Sequence, residues 1–139
     1  MKKILSFIVL AVLFTACKKD KDNCSLSTEA IQGSYKITAM KYKASASSPE
    51  LDVLTTYLDE CDRDNVLTLS AGGVYTIADA GVVCTPSSAD NGTWSLSGTT
   101  MTVDGIPGTV GNFSCSAFTV SSSDNLVAGD VLIITYTRQ

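Results

Sequence analysis

Thr93-Trp94-Ser95-Leu96-Ser97-Gly98-Thr99-Thr100-Met101-Thr102-Val103-Asp104 spells out a β-hairpin. Trp94 and Leu96 alternate with small polar residues, as do Met101 and Val103, and period-two alternation marks a strand with one buried face. Gly98-Thr99 is a two-residue connection with glycine first, as a type II′ turn requires. That turn sets Trp94 opposite Val103 and Leu96 opposite Met101, so four apolar side chains fall on one face.

The same rhythm extends both ways. Upstream, Asn65–Ser70 and Val74–Asp79 flank Ala71-Gly72-Gly73, and pairing Leu67 with Ile77 and Leu69 with Tyr75 again gathers the apolar residues on one side. Further back, Tyr35, Ile37 and Ala39 share a face of Gly33–Lys43. Downstream, Phe118 and Val120 alternate within Phe113–Ser121, and Leu132, Ile134 and Tyr136 within Asp130–Arg138. Gly105-Ile106-Pro107-Gly108 reads as a break. One short helix is expected where Leu51, Leu54 and Leu58 recur at helical spacing behind Ser47 and Glu50, which have the separation of a capping box. Ser25–Gln32 reads as about one further helical turn, stopped at Gly33.

The class is therefore all-β, a small up-and-down antiparallel β-barrel of about eight strands with one short helix. Closure removes exposed strand edges, which favours a barrel over the alternative two-sheet sandwich.

Composition excludes much chemistry. The chain contains no histidine, which removes Ser-His-Asp and Cys-His catalysis and His-ligated zinc or haem. It is acidic and carries no basic stripe, so no footprint for nucleic acid is present. The chain is read as non-enzymatic, with no cofactor and no metal. Asp59, Glu60, Asp62 and Asp64 cluster around Cys61, but the glycine-containing EF-hand pattern is missing and turn hydrogen bonding accounts for such residues.

The N-terminus is a targeting signal. Lys2 and Lys3 precede an apolar run from Ile4 to Ala16, whose thirteen residues cover only about 20 Å of a ~30 Å hydrocarbon layer. Leu13-Phe14-Thr15-Ala16-Cys17 resembles a bacterial lipoprotein cleavage site, which implies cutting before Cys17 and lipidation of that cysteine. Three segments follow: residues 1–16 as signal, 17–23 as lipidated polar tether and 24–139 as the barrel domain. The mature chain holds eight Lys and Arg, ten less Lys2 and Lys3, against fourteen Asp and Glu, a net charge of −6.

Setting Cys17 aside leaves Cys24, Cys61, Cys84 and Cys115, an even number suited to an oxidising compartment. Three connectivities are open. The simplest staples the first hairpin through Cys61 and Cys84, closing 24 residues for about 3 kcal/mol, and joins Cys24 to Cys115.

With the strands placed, Gly33–Arg138 resembles the lipocalin-like lipoprotein domains of Bacteroidota. The match is carried by Gly33-Ser34-Tyr35, Cys61-x-x-Asp64 before Asn65-Val66-Leu67, Gly73-Val74-Tyr75, Cys84, Gly92-Thr93-Trp94 and the closing Ile134-Thr135-Tyr136-Thr137-Arg138. Tyr35 stands where lipocalins carry Trp, and the resemblance implies that Arg138 on the last strand covers it. It further implies a monomeric envelope protein, lipid-anchored at the outer membrane, that takes a small apolar ligand. Tyr35, Tyr75, Trp94, Met101, Phe118 and Tyr136 are the candidates to line its cavity. They could instead fill the barrel, since about eight strands enclose only just enough space for one small ligand. In that second reading the protein is a structural or interaction module contacting protein or glycan through loops 45–50, 86–91 and 105–112. An interior void of a few hundred Å³ decides for the first reading, a packed interior for the second.

Overall fold

The computed structural model describes residues 24–139, so Cys17 and the 17–23 tether lie outside the described residues. Eight antiparallel strands form a closed barrel, and a ninth, two-residue strand is added at one edge. After the single turn α1 (Thr28–Ile31), β1 (Gly33–Lys43) is followed by β2 (Leu51–Asp52) and the short helices α2 (Leu54–Tyr57) and α3 (Glu60–Arg63). The meander then runs through β3 (Val66–Ser70), β4 (Val74–Ala78), β5 (Asp90–Ser97), β6 (Thr100–Val103), β7 (Ile106–Gly111), β8 (Ala117–Ser123) and β9 (Val131–Arg138). Pairing of β9 with β1 closes the cylinder.

The two hairpins read from the sequence form in the expected register. Trp94 lies opposite Val103 and Leu96 opposite Met101, and Gly98 takes φ +59° as the first turn residue. Leu67 pairs with Ile77 and Leu69 with Tyr75.

Three expectations are corrected. First, Gly105–Gly108 is no break: residues 106–111 form β7, paired with β6 and β8. Asp104 and Gly105 both hold positive φ, 47° and 83°, and make the tight reversal that lets Ile106 face Val103. Gly108 is required because a Cβ there would come within 2.6 Å of Val120 Cγ1.

Second, the alternation of β1 inverts midway. Ile37 pairs with Tyr136 and Ala39 with Thr135, so Thr38 is an extra residue, and the inward position passes from Ala39 to Met40, which is buried beside Ile134.

Third, the expected helix over 51–58 is replaced by a strand residue pair and a single turn. Leu51 pairs with Tyr42, and the Asp52 carboxylate accepts the Leu54 N–H at 3.1 Å, starting α2 three residues late. Glu50 does not complete a capping box with Ser47; it pairs with Lys41 Nζ at 2.8 Å.

The strand directions define two ends. One carries the N-terminus of β1, the turns at 71–73, 98–99 and 112–116, and the C-terminus of β9. Ile31 plugs it, fully buried among Tyr35, Leu69, Trp94 and Phe118. Arg138 ties it together, donating from Nε to Cys115 O at 3.0 Å and from Nη2 to Ala30 O at 2.9 Å. Its guanidinium lies 5.0 Å from the Tyr35 ring centroid, a cation-π contact. The Cys24–Cys115 disulfide clamps this end from outside, with Cα atoms 5.5 Å apart.

The opposite end carries the connections 44–65, 79–89 and 124–130. In the last of these, Asp130 is fully buried and its carboxylate accepts N–H groups of Asn125, Leu126 and Val127 at 2.7, 2.8 and 3.1 Å. Burial alone would raise this carboxyl's pKa, but the three backbone donors and the Asn125 amide together hold it down at about 2. The unfolded chain therefore binds this proton first, near pH 4, and the stabilisation is complete above that and lost as pH falls toward 2. Asp130→Asn is expected to lower the thermal midpoint at neutral pH and to flatten the loss of stability between about pH 4 and pH 2. Acid unfolding profiles of the two proteins check this, and parallel profiles would contradict it.

Candidate functional site

The barrel interior is not filled. A cavity of about 310 Å³ runs from the plugged end toward the end carrying the long connections. Its wall comes from alternate residues of six strands: Tyr35 and Ile37 of β1, Leu67 and Leu69 of β3, Tyr75 and Ile77 of β4, Met101 and Val103 of β6, Phe118 and Val120 of β8, and Tyr136 of β9. Period-two geometry is what brings them to one surface.

Five of the six expected lining residues are therefore on the wall: Tyr35, Tyr75, Met101, Phe118 and Tyr136. Trp94 is not, and that expectation is corrected. A buried indole N–H needs an acceptor, and Trp94 Nε1 finds Ser70 O and Val74 O, both at 3.1 Å, on either side of the β3–β4 turn. The ring is thereby held against the plugged end, 3 % exposed, as structure instead of site.

The three wall tyrosines have different polar surroundings. The Tyr35 hydroxyl donates to Ile31 O at 2.8 Å and accepts from Arg138 Nη2 at 2.8 Å. Burial raises its pKa, with Arg138 pulling the other way. The Tyr75 hydroxyl donates to Asp104 Oδ2 at 2.6 Å, with Asp90 Oδ2 at 3.2 Å. It passes over Gly92, its register partner, where a Cβ would approach Tyr75 Cε1 to 2.7 Å and collide with the Asp104 carboxylate. The hydrogen bond to Asp104 leads in pushing the Tyr75 phenol well up, while Asp104, bonded first by the Thr93 N–H and then by Tyr75, is held below the usual carboxylate range. Tyr136 stacks on Phe118 with ring centroids 5.1 Å apart, and Phe118 meets Tyr35 edge-on at 5.0 Å.

Leu58, Asp62, Asn65 and Ser88 complete the cavity at its mouth. Here the 54–64 segment and the β4–β5 connection are joined by the Cys61–Cys84 disulfide, with Cα atoms 5.2 Å apart. Asn65 Nδ2 donates to Ser88 Oγ at 2.7 Å, and Asn65 Oδ1 accepts the Ala80 N–H at 3.3 Å. Asp79 accepts from Ser87 Oγ at 2.6 Å and from the N–H groups of Cys84 and Ser88, each at 3.1 Å. These bonds, Ser87 first, lower the Asp79 pKa.

From the sequence, Asp62 belongs to an acidic turn, Asn65 opens a strand, Leu58 lies on a helix and Ser88 falls in the loop 86–91. Their common location depends on the Cys61–Cys84 disulfide, the simplest of the three pairings open from the sequence, which brings two connections together.

The arrangement favours binding over chemistry. Asp62 is the one charged side chain on the cavity wall. Cys61, Asp62 and Cys84 also sit within reach of a common point, but both sulfurs are consumed in the disulfide, leaving a single carboxylate. That is too few ligands for a metal ion.

The family profile described as "Lipocalin-like domain" matches residues 31–127, which is more than half of the chain. No curated protein and no solved structure matches it. A closed eight-strand meander with an interior cavity, a cationic residue on the last strand covering the first aromatic, and that match agree: the chain belongs to the lipocalin-like domain family.

Proposed function

We propose that this protein is a lipid-anchored lipocalin-like binding protein of a bacterial envelope, of the kind found in Bacteroidota, which holds a small, mainly apolar molecule inside its barrel. The observation that carries the reading is the cavity itself, about 310 Å³ and walled by Leu67, Leu69, Met101, Val103, Phe118 and other apolar side chains. That lies at the lower end of the range of small-molecule pockets, about 300–1,000 Å³, and is space for one small ligand. Burying the apolar surface of such a molecule, at about 25 cal/mol per Å², supplies the affinity, and the preformed wall limits the ordering cost. The alternative interaction module is less well supported, because two of the three loops assigned to it are partly strand, in β5 and β7.

The anchor rests on the Leu13–Cys17 pattern and on the pairing of the other four cysteines with one another, which leaves Cys17 as the one outside a disulfide. Lys18–Asn23 would then tether the plugged end, where Cys24 is clamped, to the membrane, leaving the mouth free.

Native mass spectrometry of the detergent-extracted protein tests both halves. The chain is expected to begin at Cys17 with added acyl mass and to release one small molecule per chain on unfolding. A chain that retains Met1 would overturn the anchor. Protein that neither releases nor takes up any apolar molecule would overturn the carrier.

A further inference from the structure

The wall is not uniformly apolar, and one of its polar atoms has no role in holding the fold. Tyr35 and Tyr75 both spend their hydroxyls on protein partners, Ile31 O and Arg138 for the first and Asp104 for the second. Tyr136 does not. Among the described residues its hydroxyl has no hydrogen-bond partner, although the ring lies deep in the barrel, stacked on Phe118 and opposite Ile37. Its accessible surface faces the cavity, which it lines. Burial alone pushes this phenol up to about 12, so it stays a neutral donor at any physiological pH. The hydroxyl is open to the cavity, so water can serve it in the empty barrel, and a ligand that displaces that water without offering an acceptor leaves it unpaired.

Charge narrows the choice further. Asp62 is the single ionisable acid on the wall, and no Lys or Arg reaches it. Arg138 approaches Tyr35 at the plugged end and is already committed to Ala30 O and Cys115 O. A carboxylate or phosphate inside this cavity would be desolvated without a counter-charge and would face Asp62, which is a heavy penalty.

We infer that the ligand is an uncharged apolar molecule carrying one oxygen acceptor, such as a ketone, ester or alcohol, which accepts a hydrogen bond from the Tyr136 hydroxyl inside the barrel, and that anionic lipids such as free fatty acids are excluded. This rests on the carrier reading above and sharpens it. The polar contact selects among molecules that the apolar wall would otherwise hold alike.

Decane, 2-decanone, 1-decanol and decanoate, matched to the cavity in size, provide the test. Each is used to displace 1-aminoanthracene from the purified protein after delipidation. The ketone and the alcohol are expected to bind about five- to tenfold more tightly than the alkane, the worth of one buried neutral hydrogen bond. Decanoate is expected to bind at least tenfold more weakly than the ketone. Tyr136→Phe keeps the stacked ring and removes only the hydroxyl. It is expected to erase the preference of ketone over alkane, with the alkane bound as tightly or more tightly because no hydroxyl is left unpaired beside it. Equal binding of alkane and ketone, or a preference unchanged in Tyr136→Phe, would overturn the inference and leave the carrier standing, as would decanoate binding best. Failure of all four molecules and of the fluorophore to bind would overturn both.

Discussion

Replacing Trp94 by Ala is expected to cost about 3–5 kcal/mol, the range for deleting a large buried aromatic. The side chain is 3 % exposed and packs in the cluster that includes Ile31, Leu69 and Met101. Its removal leaves a void at the plugged end and strands Ser70 O and Val74 O without the indole donor. A domain of this size has only about 5–15 kcal/mol in total, so the variant should be partly unfolded near body temperature. Trp94→Phe isolates the polar share: it keeps most of the ring and drops the N–H, for an expected loss of about 1–3 kcal/mol. Urea midpoints of the three proteins provide the measurement. Because Trp94 is off the cavity wall, Trp94→Phe should still bind an apolar probe with wild-type affinity. Selective loss of binding with unchanged stability would return Trp94 to the wall.

The disulfides should differ in what they support. Cys24–Cys115 spans a sequence separation of 91 and Cys61–Cys84 one of 23. Loop-closure entropy then assigns roughly 4–5 kcal/mol to the first and about 3 kcal/mol to the second. Cys24→Ser with Cys115→Ser is expected to lower global stability the more, releasing the segment that positions α1 and Ile31 over the plugged end. Cys61→Ser with Cys84→Ser should be milder globally and felt at the mouth, where it joins 54–64 to the β4–β5 connection. Denaturant midpoints under non-reducing conditions decide, and a larger loss from the second pair would contradict the assignment.

The strands were legible because a barrel that buries one face must alternate, and Trp94 to Val103 or Leu67 to Ile77 alternate without interruption. What was not legible had identifiable causes. The Thr38 bulge inverts β1 without changing its composition, so Met40 replaces Ala39 inside. In β7, Pro107 and two glycines look like a break until Val120 crossing over Gly108 explains why a side chain there is unwanted. The Asp104-Gly105 reversal was the available signal, and glycine at its second position is what a tight β-turn with two positive φ values demands.

At the site the aromatics were readable as inward-facing, but inward-facing is not the same as cavity-lining. The Trp94 indole is drawn to two backbone carbonyls, which depends on the geometry of the neighbouring hairpin. The Tyr75 hydroxyl reaches Asp104 over Gly92, where the missing side chain leaves room. Tyr136 is left facing the void. Such distinctions arise from cross-strand neighbours, which no local window contains.

The central claim, that the barrel interior is the binding site, is tested most directly by filling it. Val103→Trp adds about seven non-hydrogen atoms to a wall position and puts an indole into the cavity. Titration with 1-aminoanthracene is expected to show one site per chain in the wild type and binding weakened more than tenfold in Val103→Trp, with a thermal midpoint held or raised. A Val103→Trp protein that is folded and binds the probe as the wild type does would place binding elsewhere and contradict the account.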